Sequence, residues 1–79
     1  MWVQPREHKL VGAVLAKARE RAGLTQVQLA KLLRKPQSFV SSYERGQRRI
    51  DVLEMLRIVE ALKGEPRKVF AHFLKRKGG

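Results

Sequence analysis

The chain has 79 residues, with 18 Lys or Arg against 7 Asp or Glu and a formal charge of +11; a chain this short holds one domain with a modest core. It has no cysteine, which excludes a disulfide and a thiolate zinc site, and the distant pair His8 and His72 gives no reason to expect a metal or any other cofactor. So much positive charge repels itself and favours an anionic partner, nucleic acid first and an anionic membrane surface second.

In chain order, Met1-Trp2-Val3-Gln4-Pro5 carries no apolar signal-peptide core, so a cytoplasmic location is expected, with no membrane partner. Residues 1–6 read as a flexible arm, 7–74 as the folded domain and 75–79 as a basic, flexible tail. Trp2 docks on a body or stays loose with the arm. The first helix is expected from about Glu7 to Ala22, with Leu10, Val14, Leu15, Ala18 and Ala22 as its apolar stripe and Gly23 ending it. The second has an explicit start: Thr25 is an N-cap and Gln28, three residues on, completes a capping box. It ends near Leu32 or Leu33, because Arg34-Lys35-Pro36 interrupts it. A third helix runs from Pro36 to about Glu44 and Gly46 stops it. A fourth repeats the device of the second, with Asp51 as cap and Glu54 as its partner; its buried face is expected to be Leu53, Leu56, Val59, Ala61 and Leu62, with Gly64 ending it. Pro66 opens a fifth, whose apolar residues are Val69, Phe70, Phe73 and Leu74. The expected fold is therefore all-α, a five-helix bundle with no strand.

Function concentrates between Leu24 and Ile50. Two short helices joined by a tight turn form a rigid unit that can offer one helix to the DNA major groove. Ala30 is small enough for the crossing of the two, and Leu29, Leu33, Val40 and Tyr43 point inward. Plotted at about 100° per residue, the third helix places Gln37, Ser38, Ser41, Ser42 and Arg45 on one side. Val40 and Tyr43 fall opposite, with Phe39 at the margin, as core edge or as a thymine-methyl contact. Short polar side chains allow close approach; Gln pairs bidentately with adenine and Ser serves any base. From Lys31 to Arg49 six basic residues (Lys31, Arg34, Lys35, Arg45, Arg48, Arg49) face one acid, Glu44, as phosphate contact requires. Glu44 has no catalytic companion and reads as pairing with a base or restraining the turn. No nucleophile, metal cluster or phosphate-binding glycine loop is present, so an enzyme is not expected.

The elements LTQVQLA, PQSFVSSYERG and DVLEMLRIVEAL, in that order, resemble the xenobiotic-response-element family, the phage Cro/repressor-like helix-turn-helix regulators. The resemblance spans roughly residues 8–74. It implies that Gln37, Ser38 and Ser42 read bases, with Ser41 beside them, and that Gln26 contacts phosphate. Arg45 and the loop with Arg48 and Arg49 would lie on the backbone, and Arg34 and Lys35 would add phosphate contacts. One position departs from the family: Arg34 stands where glycine is usual, so that residue must accept a positive φ or the turn must adjust. The partner implied is double-stranded DNA, as a near-palindromic operator bound by a homodimer, with Val69, Phe70, Phe73 and Leu74 as dimer surface, monomer core or both. The function implied is a repressor or autoregulator. The other reading is an antitoxin or another protein-interaction module of a toxin–antitoxin or restriction–modification control system. An RNA-binding or membrane-surface role is the third, and lacks the clustered aromatics or broad apolar face it needs.

Overall fold

A computed structural model describes residues 5–63, together with Ala71 and Lys75, which are both helical. Four helices lie in that range: α1 (Pro5–Arg21), α2 (Gln26–Leu33), α3 (Gln37–Glu44) and α4 (Val52–Ala61). Among the described residues there is no strand. Of the expected fifth helix only Ala71 is described; Val69, Phe70, Phe73 and Leu74 lie outside the described residues. So does the arm, except that Pro5 and Arg6 belong to α1: proline fits the first turn of a helix, where its missing N–H would be unpaired anyway.

Both capping boxes form. Thr25 Oγ1 accepts the Gln28 N–H at 3.1 Å while Gln28 Oε1 accepts the Thr25 N–H at 2.9 Å. Asp51 Oδ1 accepts the Glu54 N–H at 2.7 Å, and Glu54 Oε1 returns the bond to the Asp51 N–H at 3.1 Å. Each box satisfies two amides that a helix start leaves without partners.

The end of α2 answers the question posed by Arg34. It adopts φ 57°, ψ 42°, a left-handed conformation that disfavours a residue with a Cβ by about 1–2 kcal/mol. The Arg34 N–H donates to the Lys31 carbonyl at 3.1 Å and the Lys35 N–H to the Ala30 carbonyl at 3.0 Å, the paired bonds of a Schellman closure. Pro36 then takes an extended conformation as N-cap of α3. The turn thus keeps the geometry expected of a glycine, with an arginine in it. After α4, Lys63 also takes a positive φ, 56°, one residue before the glycine expected to end the helix.

The core is Leu15, Leu29, Ala30, Val40, Tyr43 and Ile58, with Val11, Leu33, Phe39, Ile50, Met55, Ala61 and Leu62 packed around it. α3 packs against α1 and α2, and α4 against α2. Ala30 is buried at the crossing as expected, and so are Leu29, Val40 and Tyr43. Two expected stripes are corrected. In α1, Ala22 is exposed and Val11 packs inward instead. In α4, Leu53 is 60% exposed and Leu56 37%. The inward set is Met55, Ile58, Val59 and Leu62, at i, i+3, i+4 and i+7.

Gly12 and Gly46 let α1 lie directly on the end of α3. A methyl at Gly12 would overlap the Tyr43 carbonyl oxygen and stand 2.6 Å from that of Glu44. A methyl at Gly46, where φ is +76°, would stand 2.7 Å from Lys9 Cα.

Candidate nucleic-acid interface

The first turns of α2 and α3 and the last turn of α3 meet through one hydrogen-bonded chain. Arg19, on the last turns of α1, donates from Nε to Glu44 Oε2 at 2.7 Å and from Nη2 to Oε1 at 3.1 Å. Its Nη1 donates to the Leu24 carbonyl at 2.7 Å. Glu44 Oε1 also accepts Gln26 Nε2 at 2.9 Å, and Gln26 Oε1 accepts Gln37 Nε2 at 3.3 Å. The Arg19 and Glu44 side chains are only 13% and 6% exposed. Gln37, at the far end of the chain, is exposed.

The physics of this arrangement follows from where Glu44 sits. A carboxylate at a helix C-terminus faces the negative end of the dipole, and burial removes its water. The two-pronged guanidinium of Arg19 compensates both, since a fork-to-carboxylate pair is directional and strong. In turn the Glu44 hydrogen bond holds the Arg19 guanidinium above its ordinary pKa range, against the opposing effect of burial. Gln26 is the first residue of α2, so its amide is fixed on one side by Glu44 and passes that orientation to Gln37, the first residue of α3.

Around this chain the expected site residues divide. Ser38 is exposed and Ser41 and Ser42 are half-buried on the same helix. The Ser41 hydroxyl accepts Arg45 Nη2 at 2.8 Å, so these two act as one unit. Arg34, Lys35, Arg45, Arg48 and Arg49 are all exposed. Arg48 is not free: its Nη2 donates to Glu54 Oε2 at 2.7 Å, and its guanidinium stands over the Phe39 ring. Phe39 is half-buried and packs against the core, the edge position expected for it. Tyr43 points inward as expected; its hydroxyl is buried and has no hydrogen-bond partner among the described residues, and burial raises its pKa.

Sequence reasoning gave Arg19 no part in the site. The signal was Glu44, one acid among six bases, which asked for a partner. Among the described residues no group of three or more His, Cys, Asp or Glu could hold a metal ion. None of their helices is long and apolar enough to cross a membrane.

The profile of the helix-turn-helix family matches residues 15–69. Among solved structures, the restriction-modification controller protein C.AhdI from Aeromonas hydrophila is 34% identical, covering 81% of this chain and 97% of its own, with a TM-score of 0.75. An XRE-family like protein from Pseudomonas syringae pv. tomato str. DC3000 is 32% identical, covering 90% and 87%, with a TM-score of 0.79. The controller protein C.Esp1396I, solved as a tetramer with its natural 35 base-pair operator, is 25% identical, covering 87% and 91%, with a TM-score of 0.80. Comparison with curated protein sequences gives no match. The chain belongs to the helix-turn-helix family, on its XRE, Cro/repressor-like branch of DNA-binding regulators.

Proposed function

We propose that the protein is a sequence-specific regulator of transcription that reads double-stranded DNA with α3 in the major groove. The observation that carries this reading is the Arg19–Glu44–Gln26–Gln37 chain. It fixes an exposed amide at the start of α3 with its orientation already set, and pre-orientation lowers the entropy lost on binding. Gln37, Ser38, Ser41 and Ser42 are the base-reading side chains. Gln26, Arg34, Lys35, Arg45, Arg48 and Arg49 are the phosphate contacts. Repression or autoregulation is our reading of the outcome, and likeness to C.AhdI favours restriction–modification control as the setting.

One recognition helix covers only a few base pairs, so we propose a homodimer on a near-palindromic operator, with half-sites about 34–36 Å apart. The tetrameric C.Esp1396I on its operator supports an assembly of copies. We place a fifth helix after Pro66, with Val69, Phe70, Phe73 and Leu74 as the dimer surface. We read the residues before the first helix as an arm and residues 76–79 as a basic tail, which starts one residue later than expected because Lys75 is helical.

The test separates reading from positioning. Gln37→Ala should lose about 1–3 kcal/mol on the preferred site and relax specificity at one base pair. Its affinity for unrelated duplexes should stay unchanged. Electrophoretic titration on the site and on its single-base variants measures both. Equal loss on every sequence would remove Gln37 from the reading surface.

A further inference from the structure

Phe39 has a surrounding that neither core packing nor base reading explains. Lys35 Nζ stands 5.5 Å from the centroid of its ring, and Arg48 Cζ stands 4.9 Å from the same centroid. Both lie within the about 6 Å at which a cation is attracted to the negative face of an aromatic ring. Lys35 precedes α3 and Arg48 follows it. The ring itself is anchored, because it meets the fully buried Tyr43 edge-on, with centroids 5.4 Å apart and planes at 76°.

We infer that Phe39 is a positioning residue: its ring holds Lys35 and Arg48, from the two ends of the recognition helix, in place for two DNA phosphates. This rests on the DNA-binding reading proposed above. Long cationic side chains on loops lose much rotamer freedom when a phosphate fixes them, and a site that already holds them loses less on binding. The charged groups around the ring fit this role. Lys35, Asp51, Glu54 and Arg57 line, with Phe39, a hollow of about 140 Å³ beside α4. Asp51 is occupied in capping α4. Glu54 takes one donor of Arg48, and a guanidinium has five in all. Among the described residues the remaining donors of Arg48 and all three of Lys35 stay available to an anion, since a ring face attracts a cation without consuming its hydrogen bonds. Phe39 therefore contributes affinity for any duplex and no preference among bases.

The sharpest test keeps the shape of the ring and removes its negative face. The full chain is synthesised with pentafluorophenylalanine at position 39, and compared with wild type, Phe39→Leu and Phe39→Tyr. Each is titrated on the preferred site and on an unrelated duplex across a salt series, with thermal unfolding followed by circular dichroism. The fluorinated chain should stay folded and bind both duplexes up to about 5- to 30-fold more weakly, as loss of two exposed cation–ring contacts implies. Neither the preferred-to-unrelated ratio nor the dependence on salt should change, since both cations keep their charge and their phosphates. Phe39→Leu should behave alike, and Phe39→Tyr should restore wild-type binding. If wild type binds DNA but the fluorinated chain binds both duplexes as wild type does, the inference is overturned and the DNA-binding reading stands. A loss confined to the preferred site overturns it as well, making Phe39 a reader. If wild type binds no duplex, the DNA-binding reading fails, and this inference with it.

Discussion

Gly12→Ala is expected to destabilise the protein by about 2 kcal/mol or more, within or above the 1–3 kcal/mol typical of overpacking. The sign is what makes this informative. Gly12 lies in the middle of α1, and helix propensity alone would make alanine better by about 1 kcal/mol. Packing opposes it. The new methyl would overlap the Tyr43 carbonyl oxygen and press on the Glu44 carbonyl carbon at 2.8 Å. Both are backbone atoms of α3, so no rotamer change relieves the clash and α1 must lift away. That movement would also separate Arg19 from Glu44, so operator affinity should fall together with stability. The urea midpoint of unfolding measures the first effect and titration of the operator the second. A midpoint raised by the substitution would show that α1 does not lie against α3 at Gly12.

The second large effect belongs to the ion pair. Glu44→Ala leaves the Arg19 guanidinium, 13% exposed, without its carboxylate, and Gln26 without its acceptor. Removing one partner of a buried pair costs about 3–5 kcal/mol. The edge of this pair reaches solvent, so about 3 kcal/mol is expected, a large share of a small domain's stability. Replacing both partners with apolar residues, Arg19→Met with Glu44→Leu, should recover most of that loss, because no charge is then left buried and unpaired. It should not recover specificity, since nothing would then orient Gln26 toward Gln37. Chemical unfolding of the single and double variants, with titration on the preferred site, tests the two halves separately. Full recovery of base discrimination in the double variant would show that the buried pair serves stability alone.

Much of this architecture is written in local chemistry. Thr25 with Gln28 and Asp51 with Glu54 mark two helix starts because each box needs only residues three apart. The inward positions of α3 are equally legible, since polar and apolar residues separate cleanly around it; in α2 Leu29 and Ala30 turn inward although Val27 and Leu32 are exposed. In α4 they do not: Val52, Leu53, Met55, Leu56, Ile58 and Val59 surround the helix with apolar side chains. Periodicity then allows more than one face, and contact with α2 selects the one bearing Ile58 and Val59. Arg34 could be recognised as a misfit at the turn, but whether the residue or the turn would yield depended on backbone geometry. Gly12 carries no signal in sequence, because its role is a contact with carbonyl groups more than thirty residues away. The proposed reading surface was legible in the type and spacing of Gln37 and the serines. Its support was not, since the Arg19–Glu44 pair joins residues 25 positions apart.

On the proposed function, α3 reads sequence while the surrounding cations hold phosphate. Selection from a random duplex pool, followed by titration of the wild-type chain on the selected site and on a shuffled duplex, tests it most directly. The titrations are run at about 50 mM and about 200 mM salt, where counterion release changes affinity by orders of magnitude. The account predicts one enriched, near-palindromic site, bound at least about a thousandfold more tightly than the shuffled duplex, with both affinities falling steeply as salt rises. A pool in which no sequence is enriched, or an affinity indifferent to salt, would contradict it.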